Sequence, residues 1–76
     1  MHTLQEKMKL LLNRYFSQLD GKTQPSNLYE IVLADAEAGL LDATMHFTRG
    51  NQSKAARLLD MNRATVKRKL KRHHLS

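Results

Sequence analysis

Residues 49–72 read RGNQSKAARLLDMNRATVKRKLKR, and this stretch decides the fold. Arg49-Gly50 closes whatever helix precedes it, and Asn51 has the chemistry of an N-cap for a short helix, Gln52–Leu59. Asp60-Met61 leaves room only for a tight turn before Asn62 caps a second helix, Arg63 to about Arg72. Ala55, Leu59, Met61, Val66 and Leu70 are spaced to fill the seam between these helices, and Ala56 is small enough for a steep crossing. The pattern is a helix-turn-helix. Asp60 occupies the turn position that often needs a positive φ, which aspartate tolerates at a cost of about 1 kcal/mol or less.

Outside its thin apolar anchor, the last helix carries Arg63, Thr65, Lys67, Arg68, Lys69, Lys71 and Arg72. A cationic outer face of this kind suits the major groove of a duplex, with N-terminal residues at base edges and later cations at phosphates. The charge distribution agrees. The 76-residue chain carries +6 overall, split into +8 on residues 49–76 and −2 on residues 1–48. Such asymmetry marks a scaffold half joined to a polyanion-binding half.

Upstream, Thr3 and Glu6 have the spacing of a capping box. Leu4, Met8, Leu11, Leu12, Tyr15, Phe16 and Leu19 then form one helical stripe, which Asp20-Gly21 ends. Residues 20–26, with the sole proline Pro25, form a polar connector. Asn27, with Glu30 three residues on, is placed to cap a helix over Leu28–Phe47, roughly 30 Å long. That helix has two apolar faces. Tyr29, Val32, Leu33, Ala36, Leu40, Ala43 and Phe47 make a broad arc, while Ile31, Leu41 and Met45 make a second strip. In a chain this short the second face needs a second copy of the protein to cover it. Gly39 costs roughly 1 kcal/mol relative to alanine in mid-helix, so a bend or a close helix approach is expected there. The chain is therefore all-α with four helices: residues 1–48 form a dimerisation half and residues 49–76 the helix-turn-helix of one compact domain.

Other chemistries find little support. Without cysteine there is no disulfide framework, thiolate zinc site or cysteine nucleophile. No apolar run is long enough to span a membrane, and no cleavable leader is visible. His73-His74 lack a third ligand and sit on a tail expected to fray, so no metal and no cofactor are expected. His46 lies near a helix end, where a partly protonated ring meets the helix dipole favourably. The carboxylates scatter over solvent-facing sites, with no glycine-rich phosphate loop and no catalytic grouping, so the chain is not read as an enzyme. Two other classes stay open. One is single-stranded nucleic acid or RNA binding, which normally uses exposed aromatics; here Tyr15, Phe16, Tyr29 and Phe47 all fall on apolar stripes. The other is a protein-interaction adaptor that uses its basic end.

The chain also resembles the Fis (factor for inversion stimulation) family over nearly its whole length. Tyr15-Phe16 with Leu19 and Gly21, Leu28-Tyr29-Glu30-Ile31-Val32-Leu33 and Leu40-Leu41-Asp42 carry the resemblance in the first half. Thr48-Arg49-Gly50-Asn51-Gln52-Ser53-Lys54-Ala55-Ala56, Asn62-Arg63-Ala64-Thr65 and Lys67–Arg72 carry it in the second. The final third is also similar to the DNA-binding domains of NtrC-type enhancer-binding activators, and the first two helices favour Fis. The resemblance implies two long helices that interlock into a homodimer, with Leu11, Tyr15, Tyr29, Val32, Leu33, Ala36 and Leu40 as interface residues.

The same resemblance implies that Asn62 and Arg63 touch base edges, the arginine fork suiting guanine O6 and N7. Asn51, Ser53, Thr65 and Arg68 match phosphate contacts, and Gln52 belongs to the same DNA-binding set. Lys54, Lys67, Lys69, Lys71 and Arg72 match positions that hold bent DNA along the flanks. Fis-like dimers set their reading helices closer than one DNA turn of about 34 Å, so the duplex bends and an AT-rich centre is preferred. The implied partners are double-stranded DNA and a second copy of the chain, with RNA polymerase as a further partner left open. The implied location is the cytoplasmic nucleoid of a bacterium, and the implied role is transcription regulation. Three departures stand out: Gly39 replaces a frequent proline, Asp60 replaces the turn glycine, and the N-terminal arm that stimulates DNA invertases in longer members is absent. That last activity is not expected.

Overall fold

The computed structural model describes residues 3–19 and 26–75. Within them lie α1 (Leu4–Leu19), α2 (Leu28–Phe47), α3 (Gln52–Leu59) and α4 (Arg63–Arg72), and no strand. These are the bounds that periodicity and capping predict. The Asp20-Gly21 stop, Pro25 and Ser76 lie outside the described residues.

The helix starts follow their caps. Thr3 Oγ1 accepts a hydrogen bond from the Glu6 amide at 3.2 Å. Asn51 Oδ1 accepts from the Lys54 amide at 3.0 Å, and Asn62 Oδ1 from the Ala64 amide at 2.8 Å. Asn27 differs: it precedes α2, yet its side chain makes no cap hydrogen bond. The reason is backbone geometry. Asn51 and Asn62 have the extended ψ of 101° and 142° that turns a cap side chain toward the first amides, whereas Asn27 has ψ 38°.

Each of the last three helices ends in a Schellman closure through a non-glycine residue of positive φ. Gly50 N donates to Met45 O at 2.9 Å behind Arg49 (φ 55°), and Met61 N donates to Ala56 O at 2.9 Å behind Asp60 (φ 54°). Leu75 N donates to Leu70 O at 2.8 Å behind His74 (φ 58°). The positive φ expected at Asp60 is therefore present. The expected fraying of the tail is not. Residues 73–75 are tied down by this closure, and Leu75 packs against the core as Schellman closures favour.

The buried core is small and sits at the helix-turn-helix. Leu41, Ala55, Ala56, Val66 and Leu70 are buried, with Met45, Leu59, Met61 and Leu75 packed around them. The second strip of α2 thus docks the helix-turn-helix through Leu41 and Met45, while Ile31, lower on that strip, stays exposed. The broad arc of α2 has no such cover. Between α1 and α2 runs an apolar groove lined by Leu4, Met8, Leu11, Leu12, Val32 and Leu40, and α1 buries no residue of its own. Gly39 opens onto this groove with nothing within 4 Å of the position a Cβ would take, so the close approach expected there is not made within one chain. α2 is unbroken through it.

Candidate nucleic-acid interface

α4 divides cleanly into two faces. Val66 and Leu70 are buried, and Thr65 and Lys69 are half-buried on the same inward side. Arg63, Lys67, Arg68, Lys71 and Arg72 are exposed, as is Asn62 at the helix start. Rows at i and i+4 place Arg63, Lys67 and Lys71 along one line, with Arg68 and Arg72 beside it. Arg63 forms no ion pair with any described residue, so its guanidinium is available at the N-terminal end of the helix. The N-terminus of α3 presents exposed Asn51 and Lys54 with half-buried Gln52 and Ser53. Each of these helix starts carries the positive end of its dipole beside exposed cations.

Lys69 is placed differently from the rest. Its Nζ donates to Glu37 Oε2 on α2 at 2.8 Å, and both side chains are half-buried. His73 Nε2 lies 2.8 Å from Glu37 Oε1. The Lys69 hydrogen bond, and then that of His73, hold the Glu37 carboxyl below its ordinary 4.5. Glu37 is therefore not the solvent-facing carboxylate that the sequence suggests, and Lys69 is not on the outward row. Arg72 also turns toward α2, bordering a shallow groove with Tyr29, Glu30, Leu33 and Glu37.

The residues named as dimer-forming are uncovered in one chain. Leu11, Tyr15, Tyr29, Leu33 and Leu40 are exposed by 63%, 38%, 78%, 49% and 53%, Ala36 is exposed, and Val32 is half-buried. The aromatic residues on the apolar stripes are thus accessible in the single chain, and their position there does not argue against stacking on bases. Periodicity assigns them a shared face but cannot say what covers it. Phe47, the most exposed of them with Tyr29, sits beside Arg49, Lys54, Arg57 and Leu58. Arg49 and Arg57 were not among the residues assigned to DNA binding from sequence, although the i, i+3 spacing of Lys54 and Arg57 was there to indicate Arg57. No group of three or more histidines and carboxylates that could hold a metal ion occurs among the described residues. No described helix is long and apolar enough to cross a membrane.

Known proteins bear the same pattern. Residues 32–73 match the model of the bacterial regulatory protein, Fis family. The chain is 47% identical over 73 residues to a protein of Actinobacillus succinogenes named DNA-binding protein Fis, covering 96% of this chain and 73% of that one. Proteins of the same name from Yersinia enterocolitica and Proteus mirabilis are 45% and 44% identical, over 96% of this chain and 74% of theirs. The similarity thus takes in α1 and the start of α2, beyond the helix-turn-helix alone. With its four-helix architecture and capped α4, the chain belongs to the Fis family of bacterial regulatory proteins.

Proposed function

We propose that this protein is a homodimeric, nucleoid-associated DNA-binding regulator of bacterial type that reads duplex DNA through α4. The observation that carries the reading is the start of α4. Asn62 caps the helix at 2.8 Å, and the next residue, Arg63, is exposed and unpaired at the head of a row of outward cations. An arginine so placed can present its fork to guanine O6 and N7, while Asn51, Ser53, Lys54, Thr65, Lys67, Arg68, Lys71 and Arg72 serve phosphates on either side. With two copies close together, the duplex bends around the dimer and sequence is read partly as minor-groove shape, favouring AT-rich centres. The protein then works in the cytoplasm on the nucleoid, with RNA polymerase a partner at promoters.

The dimer has a quantitative basis. A compact 76-residue domain has a radius of gyration of about 11 Å, whereas this chain's is 15.2 Å. A folded monomer of 8.8 kDa exposes about 4,800 Å², whereas this chain exposes 6538 Å². The excess of roughly 1,700 Å² per chain is of the size that obligate dimers bury. Along the arc of α2 and the stripe of α1, Leu4, Leu11, Tyr29, Leu33 and Leu40 remain uncovered.

The exposed Phe47 among Arg49, Lys54 and Arg57 favours a second reading, stacking on single strands. Competition decides between them. A labelled duplex bound by the full chain should be displaced by unlabelled duplex at much lower concentration than by either of its single strands. Equal displacement by single strands overturns the duplex reading.

A further inference from the structure

Glu37 forms the only side-chain hydrogen bonds that join two helices among the described residues. Its two oxygens divide between Lys69 Nζ and His73 Nε2, each at 2.8 Å. Lys69 and His73 stand one turn apart on the same side of the α4 axis. A planar carboxylate gripping two points one turn apart restricts both the slide of α4 along α2 and its rotation about its own axis. The apolar packing does less in this respect. Leu41 and Met45 reach the core mainly from the C-terminal part of α2, and Ala55, Ala56, Val66 and Leu70 fix α3 against α4 without fixing that pair on α2. Charge-assisted bonds of this kind are also the directional ones.

We infer that Glu37 is a positioning residue: by gripping Lys69 and His73 it sets the angle at which the reading helix leaves the dimerisation helix, and so the spacing of the two reading helices in the dimer. The inference rests on the duplex-reading homodimer proposed above. It has a corollary for Lys69, whose charge is already matched by Glu37. Lys69 belongs to the frame and releases no counterion from DNA, unlike exposed Lys71 two residues on.

The test uses full-length protein and duplexes with two guanine-bearing half-sites whose separation is varied one base pair at a time. Wild type should prefer one separation. Glu37→Gln should remain a folded dimer by circular dichroism and light scattering and keep its affinity for random duplex, yet lose about fivefold or more of the preference between best and adjacent separations. Lys69→Ala should leave the salt dependence of random-duplex binding unchanged, whereas Lys71→Ala should lower its log–log slope by about one unit. A Glu37→Gln protein with the wild-type spacing preference, or a Lys69→Ala protein with the slope of Lys71→Ala, overturns the inference and leaves duplex reading standing. A wild-type protein indifferent to duplex DNA overturns both.

Discussion

Replacing Arg63 by alanine separates reading from folding within one side chain. Arg63 is exposed, forms no ion pair with a described residue and opens α4 directly after its cap. Arginine and alanine are both good helix formers, and an exposed change that leaves the Asn62 cap bond and the core untouched moves stability by less than about 0.5 kcal/mol. The unfolding midpoint should therefore stay where it is. On DNA, a bidentate arginine–guanine contact is worth about 1–3 kcal/mol of discrimination, or roughly 5- to 150-fold in Kd. The loss should fall on one base position in each half-site. Fluorescence anisotropy at fixed salt, with the best duplex and its single-base variants, measures this together with random duplex as reference. An Arg63→Ala protein that holds the wild-type ratio of best site to random DNA refutes the assignment of α4 as the base-reading element. A loss of affinity accompanied by a lowered melting temperature refutes the separation of the two roles.

Other outcomes follow from the packing. Leu70→Ala removes a side chain 1% exposed at the centre of the seam, and denaturant unfolding should show a loss of about 2–5 kcal/mol. Asp60→Val places a β-branched residue at φ 54° and should cost about 1–2 kcal/mol. Asp60→Gly should change stability by less than about 1 kcal/mol, because relief of the left-handed backbone is offset by a freer unfolded chain. Glu37 is held below its ordinary 4.5 by Lys69 and His73, so its contribution is present above that value and disappears as pH falls through the lowered one. Melting temperature should accordingly drop more steeply below pH 4.5 in wild type than in Glu37→Gln.

What the sequence revealed and what it hid divide along range. The starts at Asn51 and Asn62, the stop at Arg49-Gly50 and the seam of Ala55, Ala56, Val66 and Leu70 are set within a few residues of themselves, so local spacing finds them. The two faces of α2 were equally legible, since a 3.6-residue repeat records each face whatever later covers it. The Glu37 grip was not. Its partners lie 32 and 36 residues away, and neither a carboxylate on a helix nor a lysine in a basic run carries a mark of pairing. His73 and Leu75 were misjudged as a fraying end for a related reason. Their order comes from the positive φ of His74 and the apolar contact of Leu75, neither of which glycine or periodicity announces. At Asn27 the residue type was right for a cap, yet the backbone does not turn its side chain to the task.

Sedimentation equilibrium of the full chain, alone and with a duplex carrying two half-sites, measures whether two copies form the reading unit. Free protein should sediment at twice 8.8 kDa at micromolar concentration, and the complex should hold two chains per duplex. A folded species of 8.8 kDa, or a saturated complex with one chain per duplex, contradicts the dimer whose uncovered faces are α1 and the arc of α2.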